Sequence, residues 1–552
     1  MLSGPNPLTV SAGVPLTRNL TIRRQMRVET DKRSRRGVLF LSSFTLTSAV
    51  SDWRTNCLSL KTSLHLDNTT ILNTTYIAAP TNITTPGICQ STAPVTSAPL
   101  CRVQVVINTT SSSAVHAEAW LPDTWYGRFL EVGDGGLGGC IDYAALDYTT
   151  SLHFASVGTD NGHDGGSGAD PGDAHQFLDH PEVINDFAFR AIHVGAVIGK
   201  QIVQAYYSRA AAKSYFLGCS TGGRQATQAA LKFPDDFDGI LGGAPATDFN
   251  NAIGAFGMIS RYFGAPTTHA EASPKWIPAD LWVLVSEEIL RQCDALDGVV
   301  DGIITDPDAC EFRPEALQCT SDETANCLTP IQVEALHNLY SPLYGLQGQL
   351  LYPRFPPGAE ADPLATATIP GMAPFLSNWF RFAVLNVTEH DFSTFGLADI
   401  EVMDEINPGG IATFNGDLSA FRNRGGKFLT YHGSRDPLLP ATNSKRVYDL
   451  IAHTLSLPLL DDFYRLFLIP GMGHCGNGLG ANAFGQGILG FGVDGIAVNA
   501  SSHNILLALV DWVEGGVATG TIIGTAANGS VRTHCRYPQR SVWDGTVWIC
   551  RD

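Results

Sequence analysis

Short apolar runs and helical periodicity alternate along the chain after residue 126. Arg128–Val132, Phe154–Thr159 and Ser214–Leu217 are short apolar runs of the kind that form buried strands. Asp186–Tyr207 and Gly223–Lys232 instead carry apolar residues at three-and-four spacing, which predicts helices. Because strands and helices follow each other in turn, the pattern predicts a parallel α/β sheet.

The segment before residue 126 has a different pattern, rich in Thr, Ser and Asn. Cys101–Asn108 and Ala114–Leu121 alternate apolar and polar residues, which predicts antiparallel strands at one edge of the sheet.

The α/β rhythm is lost from about residue 247 to 420, in a stretch with aromatic clusters and a Pro/Gly-rich run. It resumes with strands at Lys427–Tyr431 and Tyr464–Ile469 and a last helix near Asn504–Val513. We therefore predict a core split into two parts, 51–246 and 421–552, with an inserted domain at 247–420.

Residues 1–50 have the pattern of a tail followed by a secretory signal. Arg33, Arg35 and Arg36 precede the short apolar stretch Gly37–Ala49, which ends in small residues. The signal begins late, so we expect the natural start at Met26; the alternative is a buried strand behind a tail. The chain has no run of 18 apolar residues, which disfavours an integral membrane protein.

Sequons and cysteines also favour an extracellular protein. The 12 cysteines show no CxxC spacing, and several lie close together in sequence, which favours disulfides over a zinc site. The close pairs are Cys293/Cys310, Cys319/Cys327 and Cys535/Cys550, while Cys57, Cys89, Cys101 and Cys140 remain unassigned. Asn-x-Ser/Thr sequons occur at Asn68, Asn73, Asn82, Asn108, Asn386, Asn499 and Asn528.

The charge balance argues against one class of partner. Lys and Arg total 35 against 53 Asp and Glu, a formal net charge of −18, and no basic run lies beyond the N-terminal tail. Nucleic-acid binding is therefore disfavoured.

The candidate nucleophile lies in Gly218-Cys-Ser220-Thr-Gly222, which fits the pattern G-x-S-x-G. The motif follows a predicted strand and opens a predicted helix, the arrangement that holds a serine exposed on a strained turn. The alternative is a tight turn with an ordinary helix-capping serine.

A serine nucleophile needs a histidine base and a carboxylate that orients it. In α/β-hydrolases the acid and then the histidine follow the serine, each on a loop after a later strand. Asp436 and His474 occupy such places, after the strands at Lys427–Tyr431 and Tyr464–Ile469. Alone, each could be a turn aspartate or a surface histidine; their joint order favours catalysis.

The reaction also needs donors for a developing oxyanion. The backbone N–H of Thr221 is one candidate, and Gly136 in the glycine loop Gly133–Gly139 supplies a second. The alternative for this loop is a flexible glycine turn.

Two cysteines flank the candidate catalytic residues, since Cys219 precedes Ser220 and Cys475 follows His474. A bond between them would fix the separation of the two loops. Two unrelated pairings are the alternative.

GCSTGG, the Asp436 loop and GMGHC together resemble the tannase/feruloyl esterase family. The resemblance implies an α/β-hydrolase core with a large inserted lid domain over the site, and a disulfide between Cys219 and Cys475. It also implies a structural Ca²⁺ in the lid, bound by Asp294, Asp297, Asp301 and the carbonyls of Val299 and Ile303. These hard oxygens suit calcium, and Cys293 and Cys310 would clamp the loop. Without the resemblance, a solvated acidic loop is equally consistent.

The expected function is that of a secreted serine carboxylesterase without an organic cofactor, acting on small aromatic esters or on cell-wall esters of plant material. The resemblance implies hydroxycinnamoyl (feruloyl-type) esters, with galloyl esters of tannin as the alternative, and we expect neither a nucleic-acid nor a membrane partner. The rival hypotheses are a non-catalytic binding protein on the same fold and a lipase or peptidase.

Overall fold

The structure is a computed structural model, and it describes residues 52–85, 95–164, 172–266, 270–320, 325–362, 365, 374–488, 491–492 and 500–552. The predicted tail and signal at 1–50, the sequon at Asn499 and Cys89 lie outside the described residues. None of the helices within these ranges combines the length and the apolar character that a membrane crossing requires.

A nine-stranded mixed sheet forms the centre of the fold, in the order β1-β4-β5-β7-β6-β8-β9-β12-β13. The strands from β7 to β13 pair in parallel, whereas β1, β4 and β5 pair antiparallel at one edge. This confirms both the predicted parallel core and the predicted antiparallel edge. The strands are β1 (Thr69–Ile77), β2 (Thr81–Asn82), β3 (Val95–Thr96), β4 (Leu100–Asn108), β5 (Ala114–Pro122), β6 (Arg128–Val132), β7 (Ala155–Thr159), β8 (Lys213–Cys219), β9 (Gly239–Gly243), β10 (Leu343–Tyr344), β11 (Leu350–Tyr352), β12 (Lys427–Gly433), β13 (Tyr464–Ile469), β14 (Thr521–Thr525), β15 (Val531–Cys535), β16 (Arg540–Trp543) and β17 (Trp548–Arg551).

Helices cover both faces of the sheet, so the central parallel strands β6, β7, β8, β9 and β12 are buried on both sides. On β12, Phe428 packs towards one core cluster and its neighbour Leu429 towards the other, as the alternation of side chains along a strand requires. The first cluster includes residues of α1, α4, α5 and α12, and the second includes residues of α2 and α13. The helices are α1 (Trp53–Ser63), α2 (Tyr143–Ser151), α3 (Pro181–Asn185), α4 (Ala191–Tyr207), α5 (Thr221–Lys232), α6 (Phe249–Tyr262), α7 (Ala279–Cys293), α8 (Pro330–Leu339), α9 (Pro374–Asn378), α10 (Leu397–Ile406), α11 (Ser419–Asn423), α12 (Ala441–Thr454) and α13 (Ile505–Gly515).

A long insertion separates two strands that are neighbours in the sheet. β9 and β12 pair in parallel, yet residues 244–426 lie between them in sequence. Within its described residues the insertion contributes helices α6 to α11 and the small hairpin β10–β11. One of its apolar clusters includes Leu137, Phe177 and Phe187 of the first part of the core. The insertion therefore packs beside the glycine loop after β6, while the boundaries 247 and 420 stay a prediction.

Several elements differ from the sequence expectation. The segment after residue 52 begins with helix α1, which was not predicted from the sequence; Asp52 caps this helix by accepting the Thr55 N–H at 3.3 Å. The helix predicted from Asp186 begins at Pro181 and runs through a π-helical turn into α4. Beyond α13, two hairpins, β14–β15 and β16–β17, complete the chain.

Candidate active site

The sharp turn between β8 and α5 exposes Ser220. Its backbone has φ 64° and ψ −119°, a conformation that costs free energy in a non-glycine residue. The Ser220 N–H donates to the Gly243 carbonyl at 3.0 Å, which anchors the turn to the neighbouring strand. A Cβ at Gly218 would lie 2.6 Å from the Gly222 carbonyl oxygen, so this turn requires glycine there.

Asp436 and His474 form a hydrogen-bonded pair, with 2.7 Å between Asp436 Oδ2 and His474 Nδ1. Asp436 is fully buried, and its other oxygen accepts the N–H groups of Leu438 and Leu439 at 2.9 and 3.0 Å. Burial alone would raise the pKa of Asp436, but the charge of His474 and the bonds from His432 and His474 hold that pKa well below its usual value. Asp436 therefore stays a carboxylate that can orient the imidazole.

His432 is a second histidine on the same carboxylate, which sequence reasoning did not single out. It is buried at the end of β12, with Nε2 3.2 Å from Asp436 Oδ2 and 2.5 Å from the Leu439 carbonyl oxygen. Its Nδ1 lies 2.7 Å from the Ser444 hydroxyl. An Nε2–H shared between two acceptors fixes the carboxylate in place. The only sign of this contact in the sequence is that His432 lies four residues before Asp436.

Interlocked side chains hold the glycine loop against the serine turn. The Thr221 hydroxyl donates to the Gly136 carbonyl at 2.6 Å, which brings together the two residues whose N–H groups are the predicted oxyanion donors. Asn161 donates to Asp134 at 2.9 Å, Gln225 donates to Asn161 at 2.7 Å, and the Asp134 N–H donates to Gln225 at 3.0 Å. This closed ring leaves the loop little freedom, as stabilisation of an oxyanion requires.

These groups open onto one cavity of about 960 Å³. Ser220, Thr221, Gly136 and His474 all line it, so the structure brings together these four predicted site residues directly and Asp436 through His474. Helix α6 forms an apolar wall, and polar residues also line the cavity. The wall residues are Phe249, Ala252, Ile253 and Phe256; the polar lining residues include Asp142, Asp362, Arg435 and Asn477.

The structure contains the Cys219–Cys475 disulfide, with 5.9 Å between the two Cα atoms. It closes a loop whose ends are 256 residues apart, which on the chain-entropy account restricts the unfolded state by about 5 kcal/mol. The other described bonds join the three predicted close pairs and link Cys57 to Cys101, which sequence reasoning left unassigned. They are Cys57–Cys101, Cys293–Cys310, Cys319–Cys327 and Cys535–Cys550.

Replacing both Cys219 and Cys475 by alanine should lower turnover by about a hundredfold in protein that remains folded. The bond holds the serine turn to the histidine loop. A displacement of about 1 Å between reacting groups can lower the rate by about a hundredfold. The control replaces Cys319 and Cys327, which are only eight residues apart in the insertion, and should leave turnover unchanged. A folded Cys219/Cys475 variant with wild-type turnover, or peptide mapping that finds Cys219 as a free thiol, would contradict this role.

The predicted calcium loop brings its carboxylates close to its own backbone. Asp294 accepts the Gly302 N–H at 3.1 Å, Asp297 accepts the Val299 N–H at 2.9 Å, and Asp301 accepts the Ile303 N–H at 3.0 Å. The three carboxylates, with the carbonyls of Val299 and Ile303, are oxygen ligands of the kind that calcium prefers, and the Cys293–Cys310 bond brackets the loop that carries them. Among the described residues, no three side chains of His, Cys, Asp or Glu lie close enough together to hold a metal ion.

A family model described as tannase and feruloyl esterase matches residues 101–549, which is most of the chain. The chain belongs to this family. Tannases and feruloyl esterases are carboxylic ester hydrolases, and the triad-like arrangement on an α/β-hydrolase fold agrees with that membership.

Similar sequences and solved structures cover most of the chain. The sequence is 41% identical over 517 residues to the probable feruloyl esterase B-2 of Aspergillus terreus, covering 90% of this chain and 94% of that protein. The crystal structure of feruloyl esterase B from Aspergillus oryzae superposes with a TM-score of 0.85 at 38% identity, covering 90% of this chain and 100% of that one. The tannin acyl hydrolase from Aspergillus niger shares the fold, with a TM-score of 0.70 at 20% identity, covering 90% and 94%.

Proposed function

We propose that this family member hydrolyses feruloyl-type esters of plant material through an acyl-enzyme on Ser220. The observation that carries the proposal is the convergence of Ser220, His474 and the oxyanion loop on one cavity, with Asp436 bonded behind His474. The relatives named feruloyl esterase B, at 38–41% identity, support the choice of substrate class.

The geometry supports a two-step acyl transfer. Because His474 Nδ1 bonds to Asp436, Nε2 is the nitrogen that takes the proton of Ser220 as its oxygen attacks the ester carbonyl. The N–H groups of Thr221 and Gly136 stabilise the oxyanion, and the protonated His474 then gives its proton to the leaving alcohol. Water, activated by the same histidine, attacks the acyl-enzyme and releases the acid.

The cavity wall favours a hydroxycinnamoyl group over a galloyl group. One face of α6 lines the cavity with the apolar side chains of Phe249, Ile253 and Phe256, which lie three or four residues apart. The three hydroxyls of a galloyl ring would lose their water there without receiving partners from that face, which is costly. A hydroxycinnamoyl ring, with its vinyl linker and fewer hydroxyls, suits such a wall better.

A hydrolysis panel tests the substrate class. The panel contains methyl ferulate, methyl gallate, a long-chain p-nitrophenyl ester and a peptide anilide. We expect kcat/KM for methyl ferulate to exceed that for methyl gallate by at least about tenfold, within the range that one pocket discriminates. Activity on the last two compounds alone would overturn the proposal, and a preference for methyl gallate would make the enzyme a tannase.

We also propose that the protein is exported and glycosylated. The six described sequon asparagines are all exposed, and five disulfides join described residues. A loss of mass on treatment with an N-glycosidase, for protein recovered from the medium of a eukaryotic host, is the expected result. Protein that stays in the cells and shows no mass change would contradict it.

Calcium is proposed as a structural ion of the loop 294–303. Bound there, it would supply positive charge to Asp294, Asp297 and Asp301 and hold the loop closed, with no part in the acyl transfer. None of these residues lines the cavity at Ser220.

Removing calcium with a chelator should therefore lower the melting temperature while initial turnover of methyl ferulate at room temperature changes little, since the ion stabilises the folded state by linkage. Differential scanning fluorimetry with and without added Ca²⁺ measures the shift, and Asp297→Asn should reduce it. Immediate loss of turnover at an unchanged melting temperature would indicate a catalytic metal instead.

A further inference from the structure

A second cavity, of about 270 Å³, adjoins the active-site cavity. Leu479 lines both cavities and so marks the place where they meet. The far side of the second cavity is built from the C-terminal hairpins β14–β15 and β16–β17, through Val531, Arg532, Trp543 and Trp548. The remaining lining residues are Val299, Asp301, Ile303, Ala481 and Ser530.

Exposed apolar side chains surround this cavity. Leu479, Val531 and Trp543 are 64%, 59% and 38% exposed, so a ligand can reach all three. Exposed apolar residues scattered singly need no explanation, but several around one depression mark a binding surface.

Trp543 and Trp548, together called the platform, are held in place by their neighbours. Trp543 and Trp548 lie opposite each other across the β16–β17 pair, with ring centroids 5.4 Å apart. The Arg532 guanidinium covers the Trp548 ring, 3.5 Å from its centroid, and is held by the hydroxyls of Ser541 at 3.2 Å and Thr305 at 3.0 Å. The more exposed ring, Trp543, remains available to a ligand.

The chemistry of the reaction fixes which half of the substrate reaches this platform. His474 protonates the oxygen of the leaving alcohol, so the alcohol lies on the His474 side of the ester. From His474 the cavity wall continues through Cys475–Gly478 to Leu479, where the second cavity begins. An alcohol larger than methanol is therefore directed towards Trp543.

We propose that the second cavity is a subsite for the sugar that carries the ester. The inference rests on the proposed function, since it assigns the alcohol half of the same substrate. A sugar ring has apolar C–H faces that pack on an aromatic ring and hydroxyls that bond to polar neighbours, which matches Trp543 beside Arg532 and Ser530. The volume is slightly below the usual range of about 300–1,000 Å³ for drug-sized ligands, so the subsite takes one ring.

The test compares one acyl group on two alcohols. Trp543→Ala should raise KM for a feruloylated arabinose disaccharide, lowering its kcat/KM by about tenfold, the equivalent of one lost ring contact. The same variant should leave kcat/KM for methyl ferulate within about twofold of wild type, because methanol cannot reach the platform. Val531→Asp, which alters the same cavity at an exposed position, should show the same selective loss.

Two control variants separate the subsite from general damage. Trp543→Phe keeps a ring and should retain most of the saccharide preference. Val547→Ala removes an exposed apolar side chain between β16 and β17 that does not line the cavity, and should change neither ester. Equal losses on both esters, or no loss on either, would overturn the subsite. A change of oligomeric state in Trp543→Ala with an unchanged ester ratio would also overturn it, as the surface would then serve a second copy.

The subsite and the proposed function can fail separately. Wild-type protein that hydrolyses neither ester contradicts the function. Quenching of tryptophan fluorescence by the free disaccharide, absent in Trp543→Ala, tests the subsite without catalysis. Absence of quenching in the wild type, together with an unchanged ester ratio in the variant, counts against the subsite alone.

Discussion

Ser220→Ala should lower kcat for methyl ferulate by about 10⁶-fold while leaving the melting temperature unchanged. The substitution removes the oxygen that forms the acyl-enzyme, and the remaining oxyanion donors cannot replace a nucleophile. The fold should survive because the turn is held by main-chain bonds. The Ser220 N–H donates to Gly243, and the Ser220 carbonyl accepts from Arg224 and Ala246.

The matched control is Ser208→Ala. Ser208 is an exposed serine that also has a positive φ, of 56°, so the control repeats the same chemical change at a second positive-φ serine outside the cavity. It should keep wild-type turnover. A purified and folded Ser220→Ala protein that retained more than a few per cent of wild-type turnover would remove Ser220 as the nucleophile.

Asp436→Asn should lower kcat by about 10⁴-fold with little change in KM. The amide oxygen would take over the N–H groups of Leu438 and Leu439, which turns the amide NH₂ towards His474 Nδ1. An NH₂ at that place selects the tautomer with the proton on Nε2, and this tautomer cannot accept the proton of Ser220. Steady-state kinetics on methyl ferulate measures the loss.

A charge control accompanies this variant. Asp449→Asn removes a carboxylate from the exposed side of α12 and should leave kcat unchanged. A loss of less than about tenfold in folded Asp436→Asn protein would mean that Asp436 does not orient the base.

The elements that carry the three residues of the proposed triad could be predicted because each has a strong local pattern. β8, β12 and β13 are short apolar runs buried in the sheet, and each is followed at once by a turn that carries a chemical side chain. In parallel strands these turns meet at the same edge of the sheet, so the order of Ser220, Asp436 and His474 along the chain was enough to predict that these three residues lie close together.

Strand β9 was missed for a physical reason. Its sequence, Gly239–Gly243, is mostly glycine, which has a low strand propensity. The glycines are needed for packing, since a Cβ at Gly243 would lie 2.3 Å from the Tyr431 ring and one at Gly239 would lie 2.8 Å from the Tyr215 ring. The need for close packing against these rings therefore outweighs the low strand propensity of glycine.

The hydrogen bonds that hold the glycine loop in place could not be predicted from local sequence patterns. Asp134 is 91 residues from Gln225 and 27 residues from Asn161, and no spacing in the sequence joins them. The cavity wall on α6 and the platform at Trp543 also depend on how distant segments pack. A sequence predicts which residue types can do the chemistry, whereas the long-range contacts decide what holds them in place.

The central claim is that Ser220 carries the acyl group, and trapping the intermediate tests it most directly. Wild-type protein turning over methyl ferulate is quenched in acid within the first turnover, digested and examined by mass spectrometry. We predict one feruloyl group on the peptide that contains Ser220, and none in Ser220→Ala treated in the same way. A feruloyl group on another residue, or turnover without any acylated peptide, would contradict the account.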